Sequence, residues 1–136
     1  MKLKIGVLGA GHLGKIHLNC ISQLSNIYDL VGFYDPNESV AATVQENLGY
    51  KRFNTIEELV TSVDVVDIVT PTLSHFECAQ IAIKHNKHIF VEKPITNTIA
   101  EAEQLIGEIK NTDIKAQVGH VERFNPAYLA SQKFIK

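Results

Sequence analysis

Three glycines in six residues, Gly9-Ala10-Gly11-His12-Leu13-Gly14, leave this chain few folds to choose from. They stand between an apolar-rich run, Lys2–Leu8, and a segment of helical spacing, Leu13–Leu24. A strand that turns straight into a helix through such a loop needs each glycine for its own reason. Gly9 allows the tight turn, Gly11 lets backbone approach a ligand closely, and Gly14 lets the helix lie on the sheet. Alone the pattern is weak. Between a strand and a helix it predicts a pyrophosphate seated on the positive helix N-terminus, with His12 and Leu13 in the loop that holds it.

The rest of the chain repeats the alternation. Strand-like runs are read at Leu30–Tyr34, Arg52-Phe53, Val65–Val69, His88–Glu92 and Ile114–Val118. Helical segments are read at Glu38–Leu48, closed by Gly49, and from a capping box at Thr55-x-x-Glu58 to Val60. Others are read at Ser74–His85, capped by Ser74, and at Ala100–Ile109. Six strands separated by helices, several apolar on both faces, predict an α/β doubly wound parallel sheet in the order 3-2-1-4-5-6, in a single domain. Residues 1–120 form that domain, and 121–136 read as a connecting segment. Within it, Asn125-Pro126 opens a helix expected over Pro126–Lys136.

Composition removes other classes. The 136 residues are 45% hydrophobic and 21% charged, with net charge −2, so no basic stripe points to nucleic acid. The longest apolar runs are too short to span a bilayer, and the N-terminus reads as a first strand and not as a leader. A cytoplasmic location is expected, with no membrane partner and no metal. Cys20 and Cys78 both fall at apolar helical positions and read as reduced, buried thiols.

Four further groups sit where strands end. Asp35 follows the second strand at about the 20-residue distance at which an acid accepts from the adenosine ribose 2′-hydroxyl. It would repel a 2′-phosphate, and Pro36-Asn37-Glu38 offers no arginine, which favours NAD over NADP; Asp35 also suits a plain turn. Thr70-Pro71-Thr72-Leu73-Ser74-His75 lies near the topological switch point, where Thr70, Pro71 and His75 can touch a cofactor, or His75 merely starts a helix. Glu92-Lys93-Pro94 follows the fifth run, with Glu92 toward the cofactor. Pro94 biases Lys93 to an extended backbone and so aims an ammonium that is either an acid–base group or one half of a salt bridge. Last, Gly119-His120-Val121-Glu122-Arg123-Phe124-Asn125 gathers His120, Arg123 and Asn125 as substrate-side candidates, or is a polar connection.

Together these motifs resemble the Gfo/Idh/MocA oxidoreductases, the family of glucose–fructose oxidoreductase and inositol dehydrogenase, over essentially the whole chain. Glu92-Lys93-Pro94 is the most specific part of the likeness. The resemblance implies that Lys93 lies between nicotinamide and substrate and assists proton transfer as the catalytic residue. It also implies a cis bond before Pro94 more often than the ordinary X–Pro rate. The run from Gly119 to Pro126 is similar to the branch acting on sugar nucleotides, such as UDP-N-acetylglucosamine 3-dehydrogenases. Family members carry a second α/β domain that completes the substrate pocket and through which homo-oligomers form, so the chain alone is expected to bind cofactor without turnover. Two other classes share parts of the pattern. A nucleotide-sensing module needs the glycines and Asp35 but not Glu92-Lys93-Pro94. A small methyltransferase would bind S-adenosylmethionine and close its sheet with an antiparallel strand.

Overall fold

Five parallel strands make the sheet of the computed structural model, which describes residues 2–135. They are β1 (Leu3–Leu8), β2 (Tyr28–Tyr34), β3 (Val65–Ile68), β4 (His88–Glu92) and β5 (Ala116–Gly119), in the order β2-β1-β3-β4-β5. This is the expected doubly wound arrangement without its outermost strand. Arg52-Phe53 forms only a single bridge, Arg52 against Phe33. Phe53 N–H reaches Phe33 O at 2.8 Å, but the next donor, Asn54 N–H, is taken by the Glu58 carboxylate at 3.1 Å. The chain is already turning into a helix, so no ladder can continue, and the six-stranded reading is corrected to five.

Among the described residues, five α-helices lie between strands, α1 (His12–Gln23), α2 (Glu38–Leu48), α3 (Ile56–Thr61), α4 (His75–Lys84) and α5 (Ile99–Ile109), and α6 (Pro126–Ser131) follows β5. Leu18 and Ile21 of α1, with Ala41 and Val44 of α2, pack on Ile5, Val7 and Phe33 on one face of the sheet. Leu59 and Val60 of α3, Ala79 and Ala82 of α4, and Leu105 of α5 pack on Leu8, Val66, Ile68, Ile89 and Val91 on the other. Each fully buried leucine or valine stabilises the fold by about 1.5–3 kcal/mol, so this double layer carries most of the stability. On the first face, α1 and α2 cover β1 and β2. Over β3–β5 they leave a groove of about 500 Å³, lined from the strand starts onward by residues such as Val65, Phe90 and Ala116.

Local chemistry explains the helix ends. Gly49 closes α2 in the left-handed region at φ 71°. The Thr55 hydroxyl accepts Glu58 N–H at 3.1 Å, and Thr98 with Glu101 forms a reciprocal capping box that starts α5 at Ile99. Ser74, expected to cap α4, makes no side-chain cap. It ends a 3-10 turn, Thr72–Ser74, held by its N–H on Pro71 O at 2.9 Å. Asn125 does cap α6, accepting Ala127 N–H at 2.9 Å, but the helix stops at Ser131 and passes into a 3-10 turn, Gln132–Phe134. Lys136, the expected end of that helix, lies outside the described residues, as does Met1. Cys78 is buried as read, whereas Cys20 is exposed on α1. No helix among the described residues is long and apolar enough to cross a membrane.

Candidate functional site

Every strand of this sheet ends on the same edge, and the loops there divide into two clusters. The first is a cleft of about 670 Å³ lined by Gly9, Gly11, His12, Leu13, Gly14, Asp35, Thr70 and Pro71, among others. The sequence builds it from backbone. Gly9 has φ +93°, and a Cβ there would stand 2.7 Å from Val69 O. A Cβ on Gly14 would run into Gly9 O. A Cβ on Gly11 would meet nothing within 4 Å, because that position opens onto the cleft at the N-cap of α1. Only there does the loop present bare backbone to a ligand, beside a helix terminus whose first N–H groups have no helical partner.

Asp35 anchors the cleft. Its Oδ2 accepts Ala10 N–H at 2.7 Å and its Oδ1 accepts Asn37 N–H at 2.8 Å, so β2 and the glycine loop hold each other in place. An ionised carboxylate has about four acceptor positions, which leaves lone pairs for ligand hydroxyls. Tyr34, Pro36, Val40 and Ile56 complete the wall around it. The sequence reading gave none of these as a cofactor contact. Their signal was their proximity to Asp35 and to the Thr55 cap. Thr70 brings a buried hydroxyl with no partner among the described residues. The Cys78 thiol lies on the cleft wall, pushed up to about 11 by burial, and stays protonated. Pro36-Asn37-Glu38 itself offers no arginine, as read, but the fold brings one beside it from further along the chain. The Arg52 guanidinium grips Glu38 at 2.6 and 2.5 Å, brought there by the single bridge that replaced the sixth strand.

The second cluster is a smaller cavity of about 260 Å³, lined by Lys93, His120, Arg123 and Tyr128 with Val121 and Glu122. Lys93, His120 and Arg123 are exposed, and the Lys93–Pro94 bond is cis. Asn125 does not join them. Its amide caps α6 and donates to Glu122 Oε2 at 2.8 Å, which uses both ends of the side chain.

Two other residues read as cofactor contacts are placed elsewhere. His75 is only 1% exposed, with Nδ1 at 2.8 Å from Pro94 O and Nε2 at 2.9 Å from Thr70 O. It ties the loop after β3 to the turn after β4 and does not face the cleft. Glu92 is buried at the end of β4 and meets a residue the sequence reading did not name, His17, whose Nε2 lies 3.3 Å from Glu92 Oε1. His17 Nδ1 lies 2.8 Å from Oδ2 of Asp67 on β3. Burial alone would lower the His17 pKa, but the hydrogen bond and charge of Asp67, helped by Glu92, raise it. Burial raises Asp67. A clue was present: Asp67 interrupts the apolar run Val65-Val66-Asp67-Ile68-Val69, and a buried charge needs a partner.

Comparison with known proteins agrees with this geometry. Residues 3–120 match the family described as an oxidoreductase family with an NAD-binding Rossmann fold, Gfo/Idh/MocA. The chain is 37% identical over 125 residues to UDP-N-acetylglucosamine 3-dehydrogenase of Acidithiobacillus ferrooxidans, covering 92% of this chain and 39% of that protein. It is 33% identical over 140 residues to the NAD(+)-dependent scyllo-inositol 2-dehydrogenase of Bacillus subtilis, covering 98% of this chain and 40% of the relative. The solved structure of the Acidithiobacillus enzyme superposes with a TM-score of 0.86 at 34% identity, over 99% of this chain and 44% of that one. A levoglucosan dehydrogenase in complex with NADH and levoglucosan superposes at 0.87 and 26% identity, over 99% and 39%. The chain therefore spans about two fifths of the length of the curated relatives it matches.

Proposed function

The chain belongs to the Gfo/Idh/MocA family of NAD-binding oxidoreductases, and we propose on that footing that it is the NAD(H)-binding part of a dehydrogenase acting on a secondary alcohol of a sugar or sugar nucleotide. The observation that carries this reading is the adjacency of two clusters on one sheet edge. A cleft built around bare backbone at Gly11 lies beside a cavity into which Lys93, His120 and Arg123 converge.

The residues present fit a dinucleotide. Gly11 and the start of α1, with His12 and Leu13, would hold the pyrophosphate, since a Cβ at Gly11 would fill the space the phosphates need. Asp35 would accept from the ribose hydroxyls through its remaining lone pairs, which favours NAD over NADP. Thr70, with its unpartnered hydroxyl, and Pro71 would border the nicotinamide side. When bound, NAD supplies the hydride acceptor. Lys93 would take the hydroxyl proton of the substrate at Nζ, while His120 and Arg123 orient polar substrate groups. The similarity to an enzyme named for UDP-N-acetylglucosamine favours a sugar nucleotide.

Residues 121–136 we read as a connecting segment beyond the nucleotide-binding domain. Val121, Phe124, Leu129, Phe134 and Ile135 are more than half exposed on it, an apolar set with nothing packed over it among the described residues. Lys93, His120 and Arg123 are exposed around the cavity, whereas hydride transfer needs reactants held roughly 3–3.5 Å apart with water excluded. Calorimetric titration of the chain with NADH, ADP-ribose and S-adenosylmethionine tests the reading. NADH and ADP-ribose are expected to bind, with no reduction of NAD by sugars. Binding of S-adenosylmethionine alone would overturn it.

A further inference from the structure

Glu92 raises a question the cleft does not answer. A carboxylate 7% exposed at the end of a central strand is costly unless its oxygens are satisfied. One oxygen, Oε2, accepts the Lys93 N–H at 3.1 Å. The other, Oε1, faces His17 Nε2 at 3.3 Å. It also lies where a Cβ on Gly119, the residue opposite Glu92 in register on β5, would come within 2.6 Å. Glycine at that position leaves room for the carboxylate, and His17 decides where in that room it sits.

His17 is itself held on two further sides. Asp67, 2% exposed on β3, takes its Nδ1, and the ring of Phe90 on β4 packs edge-on with centroids 6.1 Å apart. An imidazole with a carboxylate oxygen against each nitrogen, Asp67 at 2.8 Å and Glu92 at 3.3 Å, suits both only when both nitrogens carry protons. The surrounding acids favour that form. The other titratable side chains on this face, Tyr28, His88 and Lys115, line the groove at the starts of the strands. The Lys115 backbone N–H donates to His88 Nδ1 at 3.1 Å, which holds the His88 ring at the opposite end of the strands from Glu92.

We propose that His17 is a positioning residue for Lys93: braced by Asp67, it clamps Glu92, whose second oxygen anchors the Lys93 amide and so fixes where the Lys93 side chain leaves the sheet edge. His75 holds the same corner from the other side through Pro94 O, so residues 92 and 94 are each pinned by a histidine. The role of the clamp rests on the reading of Lys93 as the proton-handling group. Its existence does not, and it can be measured without cofactor or substrate.

The test is a pH titration of the isotope-labelled chain by nuclear magnetic resonance, reading the His17 ring nitrogens and the Lys93 amide together. The Lys93 amide is expected to shift with the same midpoint as His17, above the ordinary 6.5 of a histidine. His17→Phe keeps a ring and removes both nitrogens; it should abolish that inflection and broaden the Lys93 resonance. His17→Gln keeps one donor; it should restore a sharp Lys93 resonance that no longer titrates. A Lys93 amide indifferent to pH through the His17 transition overturns the proposal, and so does one that titrates unchanged in His17→Phe. Because the first arm uses the unaltered chain, a variant that fails to fold does not decide the matter. Failure of NADH to bind would strike the functional reading and leave this coupling standing.

Discussion

The two halves of the sheet edge are made in different ways. Around β1 and β2 the cleft is built from backbone and buried anchors: Gly9 against Val69, Gly14 against Gly9, and Asp35 bonded to Ala10 and Asn37. Around β4 and β5 the cavity is built from exposed side chains on short elements, Lys93 after a strand and His120 and Arg123 around a 3-10 turn of four residues. The first half is held in its binding shape by the core beneath it. The second presents its polar side chains exposed. Substitutions in the first half should therefore be felt in folding or in cofactor affinity, and those in the second in neither.

The largest effects belong under the cleft. Phe33→Ala should cost about 3–5 kcal/mol, because the ring is fully buried between β1, α1 and α2. Phe124→Ala, on the exposed segment, should stay within about 0.5 kcal/mol. Chemical denaturation measures both, and comparable losses would erase the contrast between the halves. Next come the glycines. Gly14→Ala drives a methyl into Gly9 O and should lower stability by about 1–3 kcal/mol or more. Gly11→Val should leave the melting temperature close to the parent and weaken NADH by about a hundredfold or more, since its side chain enters only the cleft. A Gly11→Val protein that binds NADH normally would put the phosphates elsewhere.

Asp35→Ala should narrow the preference for NADH over NADPH by about 1–3 kcal/mol. Glu38→Gln, which loosens the grip on Arg52, should narrow it further in NADPH's favour. Equal affinities in the parent chain, read by calorimetry, would remove the basis for both. A subtler effect is pH dependence. The His17 pKa is raised in the fold, so the stabilisation it brings is fully present below its unfolded value of about 6.5 and is lost as pH rises through the higher folded value. Denaturation midpoints should fall from near neutrality upward, and His17→Gln should flatten that fall. The smallest effect is expected at Lys93→Ala, His120→Ala and Arg123→Ala, which should change NADH affinity less than about threefold. A larger loss would move the cofactor across the boundary between the two clusters.

How much of this was legible in the sequence follows the range of each interaction. The approach of Gly14 to Gly9, the α2 bounds Glu38–Leu48 with Gly49 closing them, the Thr55 cap and the Asn125 cap all rest on contacts within a few residues, and local pattern reported them. The strand expected at Arg52-Phe53 failed because a β-propensity pattern says nothing about how many partners a strand will find. Ser74 failed as a cap because the chain uses the Ser74 backbone N–H, not its hydroxyl, to enter α4. Asn125 was read as a substrate contact although its own position before Pro126 already committed its side chain to the helix.

What the sequence determined by itself was therefore the strand–loop–helix alternation, the class of fold and the kind of ligand, each carried by residues adjacent along the chain. Only the tertiary structure decided which polar groups answer one another. His17 meets Asp67 across 50 residues, and Arg52 meets Glu38 across 14. His75 meets Pro94 across 19 and turns from a cleft contact into a buried brace. The physical reason is that burial makes an unpaired polar group expensive without saying where its partner will come from. The crossovers of the sheet supply that partner, and they bring Lys93, His120 and Arg123 to one wall.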